Sequence, residues 1–366
     1  MEFTFSTTRL LIQTEFAPLV SVFILIAFIK TNVSFSDSIN RHFLFACAAA
    51  IFLTASDSMR FISAHLDHPT IYRYISAGVG YMLRPLILYL LSVISARYKI
   101  KKRLFFCLPL ILCAIVSLVS IFPFGQGIMF SFSPDNKFIR GPLGFFSHIV
   151  CAIYAFQIVF FSLKRFNHNK YEPIIVIIME IAAFTATMME NRSKYDFILS
   201  QVMISSIIFY YFFLLTQTYK RDTLTHFLNR RCFYLEINHL IKSPMILLSM
   251  DLNNLKIIND NMGHAAGDKA LITASEEMAK CFSKHAKLYR TGGDEFMAIF
   301  TKNEFQYVEK LVENFQNVLN ATEYRVACGI AQYRPGDDIE KVITLSDERM
   351  YSHKVKLKNS ESFKKI

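Results

Sequence analysis

The stretch LYRTGGDEFMAIF, residues 288–300, decides the reading of this chain. Leu288–Arg290 and Phe296–Phe300 are short apolar runs of the kind that form strands. Thr291–Glu295 between them reads as the turn of a β-hairpin, with Gly292 and Gly293 supplying backbone freedom. An ordinary hairpin tip carries Asn-Gly or Asp-Gly. Here two carboxylates, Asp294 and Glu295, sit beside two residues without side chains, and Arg290 stands just before them. Alone, this is a solvated acidic turn. Beside a second acid-bearing element, it becomes a place where backbone and carboxylate approach something charged.

Such an element lies upstream, in PMILLSMDLNNLKIINDNMGHAAGDKAL at 244–271. An apolar strand over Met245–Leu252 reaches Asp251 at its end, and ligands bind at the ends of sheet strands. If this strand lies beside the hairpin, Asp251 faces Asp294 and Glu295. Carboxylates gathered in one spot repel each other, and a divalent cation makes the arrangement tolerable. A pair of Mg²⁺ ions held there would orient triphosphates, and the bare backbone at Gly292 and Gly293 would allow phosphates to come close.

The surrounding pattern alternates. Helices are expected near Arg230–Ile241, within LKIINDNMGH, over Lys269–Phe282, Glu304–Asn320 and Ile339–Lys354, with a further strand over Tyr324–Ala331. Strands interleaved with helices argue for one α/β sheet domain of about 140 residues. This places the α/β domain at 219–366.

Residues 1–218 differ in kind. The whole chain is 53% hydrophobic with a mean hydropathy of +0.31, too apolar for an ordinary soluble protein, and the excess lies in this half. Seven segments approach the roughly 20 apolar residues that cross a bilayer. They are Leu10–Ile29, His42–Ile62, Tyr74–Ala96, Leu104–Phe124, Gly141–Leu163, Pro173–Met189 and Leu199–Thr216, the second and sixth being the weakest, which leaves counts of six or eight open. The first has neither a strongly basic lead nor a small-residue cleavage site, so it is not read as a cleaved signal peptide. RYKIKKR at 97–103, KRFNHNK at 164–170, and Lys220 with Arg221 are basic, and seven spans put all three on one side. The positive-inside rule makes that side the cytoplasm, with the N-terminus outside. The formal net charge of +11 then reflects topology. No base-stacking or groove-reading element accompanies it, so a nucleic-acid partner is not expected.

Asp57, Arg60, Arg84 beside Pro85, His148 and Glu180 fall inside or near these spans. Ionisable groups there are costly; they read either as internal ion pairs or as a ligand or ion site. Glu180 is a candidate partner for Arg84. No motif names a sensed ligand. The seven cysteines are scattered without a CxxC pair, which favours packing over metal or redox roles.

Four separated stretches together resemble the GGDEF family, the diguanylate cyclases, over about residues 220–360. These are DTLTHFLNRR at 222–231, DLNNLKIINDNMGHAAGD at 251–268, GGDEF at 292–296 and DERMYSHKVKLKN at 347–359. The resemblance implies a nucleotide-cyclase (palm-like) α/β fold behind a multi-span α-helical membrane domain. It implies condensation of two GTP into cyclic di-GMP and two pyrophosphates, which requires a homodimer because each domain holds one GTP. It implies two Mg²⁺ ions per site, with Mn²⁺ as a substitute. By resemblance, Asp251, Asp294 and the backbone carbonyl of Leu252 match the metal ligands. Asp294 also matches the acid that takes the proton of the attacking 3′-hydroxyl, and Glu295 a helper acid. Lys256 matches the lysine that stabilises phosphate charge. Asn259 and Asp268 match the guanine readers, His264 lies in the same pocket segment, and Lys354 and Lys358 match the residues near the terminal phosphates. A catalytically silent, GTP-binding regulator is the alternative.

The chain departs from the family pattern in places. Asn253 stands for a common acid, His226 for the usual Gly of the entrance motif, and Lys358 for an Arg. Ser283 and Ala286 occupy the positions of an Arg-x-x-Asp inhibitory product site, which is therefore expected to be missing. Arg290 matches the family and is read as structural.

Overall fold

The computed structural model describes residues 2–32, 34–96, 103–165, 172–192, 197–320 and 322–362. The chain divides into two compact units, Met1–Leu215 and Thr216–Ile366.

Among the described residues the first unit has seven helices. They are α1 (Glu2–Thr31), α2 (Asp37–Ala64), α3 (Ile71–Ser95), α4 (Arg103–Val119), α5 (Phe146–Arg165), α6 (Glu172–Arg192) and α7 (Ile198–Lys220). They coincide with the seven apolar segments. Five of them (α1, α2, α3, α5 and α7) are long and apolar enough to cross a membrane by length and composition. The described apolar part of α4 is shorter, and α6 falls outside that set. Large apolar side chains such as Phe16, Phe52, Phe156 and Phe184 point outward. Most of RYKIKKR and KRFNHNK, at 97–102 and 166–170, and residues 193–196 of MENRSKYD lie outside the described residues.

The loop containing SPDNKFIRG is more structured than its composition suggests. It folds as a hairpin of β1 (Phe130–Phe132) and β2 (Phe138–Arg140). Its turn residue Asn136 has a left-handed φ of 61° and donates to the Ser63 and Leu66 carbonyls at the end of α2.

Two prolines inside helices explain polar contacts between helices. A proline lacks the N–H that would bond the carbonyl four residues back. Pro18 frees the Thr14 carbonyl, which accepts from Gln201 Nε2 on α7 at 3.1 Å. Pro85 frees the Tyr81 carbonyl, which accepts from Ser147 Oγ on α5 at 2.9 Å. In an apolar surround such orphan carbonyls need a side-chain donor.

The same unit corrects the pairing proposed for Arg84. Its partner is not Glu180 but Asp57 (3.3 Å) together with Glu190 (2.9 Å). Arg60 bridges the same two acids at 3.3 and 2.9 Å. Asp57 and Arg60 are one helical turn apart on α2, so both face the cluster that Arg84 joins from the neighbouring helix. Glu190 reads from sequence as part of a mixed loop; it is the last turn of α6 that carries it into the cluster. Two acids against two guanidiniums balance in charge. Asp57 is 1% exposed, and losing one partner would strand a buried charge.

The second unit is a five-stranded sheet in the order β3-β5-β6-β4-β7, from β3 (Leu228–Asn229), β4 (Met245–Leu252), β5 (Ala286–Arg290), β6 (Glu295–Phe300) and β7 (Val326–Tyr333). All pairings are antiparallel except β3 with β5. Every residue of central β4 is buried, as its MILLSMDL composition requires. Its even-numbered residues face a core shared with α9 (Leu255–Met262), α10 (His264–Phe282) and α11 (Phe305–Asn320). On α11, Val308, Val312, Phe315 and Leu319 recur at helical spacing and supply that face. The odd-numbered residues face α8 (Arg230–Leu240) and α12 (Ile339–Ser362). Asn229 caps α8 by accepting from the Cys232 N–H. Helix α10 begins at His264, five residues before the expected Lys269, and α12 runs past Lys354. The three cysteines of this unit, Cys232, Cys281 and Cys328, are free thiols.

Arg84→Gln is expected to lower the stability of the first unit by about 3 kcal/mol, the scale for breaking a buried ion pair from one side. Thermal unfolding of the purified chain checks this.

Candidate active site

Antiparallel pairing of β4 with β6 sets Asp251 directly opposite Glu295. The Leu252 N–H donates to the Asp294 carbonyl at 3.0 Å, joining the strand end to the hairpin loop. The geometry inferred from sequence, Asp251 facing the acids of the turn, is therefore present. Asp251 is 5% exposed, Asp294 half-buried and Glu295 exposed.

The glycines of the turn act differently from the sequence expectation. Neither Gly292 nor Gly293 adopts a left-handed φ, so the turn does not depend on glycine for backbone freedom. A Cβ at 292 would displace the exposed Glu295 carboxylate, whereas one at 293 would meet nothing. The loop is held from outside. Arg290 Nη2 and Nε donate to the Gly293 carbonyl at 2.6 and 3.2 Å, and Nη1 meets Asp222 Oδ1 at 2.9 Å. Thr291 and Gly292 N–H both donate to the Glu295 carbonyl. Arg290 is thus the tie between the turn and the entrance motif.

Asp222 closes the entrance turn with its side chain. Its Oδ1 accepts from the Thr225 N–H (2.8 Å) and hydroxyl (2.7 Å). Burial pushes the Asp222 carboxyl up, but the Thr225 bonds and the Arg290 guanidinium outweigh it and hold it below the usual range. His226 sits in this turn at a left-handed φ of 62°, the conformation a glycine adopts at ease. Histidine there costs about 1 kcal/mol, and the turn closes nonetheless.

Asp251 behaves oppositely. Burial pushes its carboxyl up, Lys354 draws it back, the Asp294 charge raises it further, and the Lys358 charge lowers it. The net direction is upward. Lys354 Nζ lies 2.6 Å from Asp251 Oδ1. Lys354 and Lys358 are one turn apart on α12, so both charges reach the strand end.

The nucleobase candidates gather on α9 and α10. A Cβ at Gly267 would collide with the Asn259 amide, so glycine at 267 lets Asn259 rest against the start of α10, next to Asp268. Asn259 is half-buried; Lys256, His264 and Asp268 are exposed. Sequence reasoning missed the role of Gly267, although its place in the GHAAGD run carried the signal. Asn253 is buried and its N–H donates to the Arg325 carbonyl. Asn254, with a left-handed φ of 62°, starts α9.

The donor set suits a hard divalent ion. Asp251 and Asp294 are carboxylates near enough for the Asp294 charge to raise Asp251, and Leu252, whose N–H bonds the Asp294 carbonyl, is next on the same strand. No cluster of three or more His, Cys, Asp or Glu side chains is present among the described residues. Mg²⁺ does not need one, since it is bound by one or two carboxylates together with water and substrate phosphates.

Residues 219–360 match the family model described as "Diguanylate cyclase, GGDEF domain", and this part of the chain is a GGDEF domain. The diguanylate cyclase DgcN of Escherichia coli (strain K12) is 31% identical over 155 residues, and DosC of the same strain is 29% identical over 154. Each match covers 38% of this chain and 38% or 34% of the relative, so the chain spans well under half the length of either. A crystal structure of the coiled coil and GGDEF domain of DgcB from Caulobacter crescentus, in complex with c-di-GMP, aligns at 20% identity. It covers 40% of this chain and 86% of that one, with a TM-score of 0.39.

Asp222→Asn is expected to destabilise the second unit by about 1 kcal/mol near neutral pH. A carboxylate with a lowered folded value contributes stability above its unfolded value of about 3.9, and that stability fades as pH falls through the folded value. The gap between wild type and variant should therefore close below about pH 4 in thermal unfolding scans across pH.

Proposed function

We propose that residues 219–366 condense two GTP into cyclic di-GMP and that the apolar unit anchors and regulates this activity in the bacterial cytoplasmic membrane. The observation that supports it most directly is the pairing of buried Asp251 with the Gly-Gly-Asp-Glu turn, with Lys354 and Lys358 on the same strand end.

Asn259 and Asp268 read the guanine. An acid accepting from guanine N1–H and N2–H₂ excludes adenine, which lacks that pair of donors. Gly292 and Gly293 admit the phosphates against bare backbone. Asp251, Asp294 and the Leu252 carbonyl would hold two Mg²⁺ ions, with Mn²⁺ as a substitute, which supply charge neutralisation at the α-phosphate and the departing pyrophosphate. Asp294 accepts the proton of the 3′-hydroxyl, with Glu295 assisting. The 3′-oxygen of one GTP bonds to the α-phosphorus of the other as the bond from that phosphorus to the pyrophosphate oxygen breaks. Repetition in the opposite sense closes the ring, with two pyrophosphates released. Lys256 stabilises the charge on the phosphates, while Lys354 leaves Asp251 and joins Lys358 at the terminal phosphates. One domain holds half the reactants, so the active species is a homodimer.

In this reading the seven apolar segments span the membrane lipid with the N-terminus outside, and the basic regions at 97–103, 164–170 and 220–221 lie in the cytoplasm. Five of the helices have the length and composition to do so. The chain passes from the last apolar segment to the entrance motif within a few residues, which supports control of the cyclase by a ligand sensed in the first unit.

The full chain in lipid nanodiscs with GTP and Mg²⁺ is expected to make cyclic di-GMP, and Asp294→Ala to reduce the rate by at least about 100-fold, the scale for losing a general base. Product chromatography reads both. Retained GTP binding without product in the wild type would select the silent-regulator reading instead.

A further inference from the structure

Helix α12 is seated on the sheet by contacts that the family motifs do not explain. A Cβ at Gly329 on β7 would collide with the α12 backbone at Ser346 and Met350, so the helix crosses the sheet at close range there. Gly329 is paired with Ser249 of β4, whose hydroxyl donates to Asp347 at 2.6 Å and lies 2.7 Å from the Ser346 hydroxyl. From this crossing the two elements run in the same sense. Ser249 to Asp251 is two strand residues, about 7 Å. Asp347 to Lys354 is seven helical residues, about 10.5 Å. Side chains on a helix lean toward its N-terminus, so the lysine reaches back across the difference to Asp251.

One turn of α12 has to be held for that reach to be reproducible, and it is held at the sheet edge. β7 is the outer strand, with main-chain groups unpaired on its far side. Arg349 Nη1 donates to the Ile330 carbonyl at 2.6 Å. One turn on, His353 Nδ1 accepts the Cys328 N–H at 3.0 Å. His353 immediately precedes Lys354, and successive helix positions differ by about 100°, so one side chain takes the strand edge while the next lies over Asp251.

We propose that His353 is a positioning residue for Lys354: by accepting the Cys328 N–H it fixes the turn of α12 that aims the lysine at the strand end carrying Asp251. The assignment rests on the nucleotide-site reading above and adds to it a residue of the 347–359 stretch to which the resemblance assigns no role. Asparagine keeps an acceptor near the Nδ1 position, whereas leucine and phenylalanine remove it.

The test is a double-mutant cycle on the full chain in nanodiscs. Affinity for 3′-deoxy-GTP with Mg²⁺ is measured by calorimetry, since this analogue has no 3′-hydroxyl and cannot cyclise. His353→Leu is expected to weaken binding about fivefold, and less than about twofold once Lys354→Met is present. His353→Asn should keep most of the affinity. Equal losses in both backgrounds, or an equal loss in His353→Asn, would show a merely structural role and overturn the proposal. If His353→Leu does not fold, His353→Phe runs the same cycle. Cyclic di-GMP synthesis by the wild type is scored separately. A coupled loss of analogue binding without synthesis supports the positioning role while rejecting the cyclase reading, and synthesis without coupling does the reverse.

Discussion

A carboxylate with 5% exposure at the end of a central strand is the constraint around which the second unit is arranged. Burying Asp251 raises its energy, and Asp294 adds to the burden. Such a group persists only if something positive meets it. Lys354 does so at 2.6 Å, and the lysine can do so only because α12 is seated by Ser249, Gly329, Arg349 and His353. The hairpin is held in its turn by Arg290 and Asp222. Most polar contacts near the strand end thus either balance the charge of Asp251 or keep the balancing groups in place. It is on this balance that the proposed metal and nucleotide site rests.

The first unit meets the same problem with other means. One cluster of its charges is balanced internally, two acids against two arginines across α2, α3 and α6. Its proline-freed carbonyls are met by Ser147 and Gln201 from other helices. Both devices fix helix neighbours in an apolar setting, where nothing else satisfies a polar group.

Much of the second unit was legible in the sequence because its pattern is local. The continuous apolar runs of β4 and β6 and the helical spacing in α11 give the elements directly, and the acids at 251, 294 and 295 are brought together by register. What escaped was set by contacts distant in the chain. Glu190 looks like a loop residue until α6 carries it to Arg60 and Arg84. The value of Gly267 lies in the side chain of Asn259, and the value of Gly329 in a helix that begins ten residues later. The turn glycines show a subtler miss. They were read as supplying backbone freedom, yet neither has a positive φ, and only Gly292 lies against Glu295. His226 shows the converse, a left-handed turn position that the sequence disguises with a side chain.

The most direct test of the account is the binding of Mn²⁺, as a spin probe in place of Mg²⁺, to the full chain in the presence of GTP, followed by electron paramagnetic resonance. The account predicts a nucleotide-dependent bound Mn²⁺ signal in the wild type that is lost in Asp251→Asn. A bound signal of unchanged strength in Asp251→Asn would contradict it, because the strand-end carboxylate would then not be the group that holds the metal.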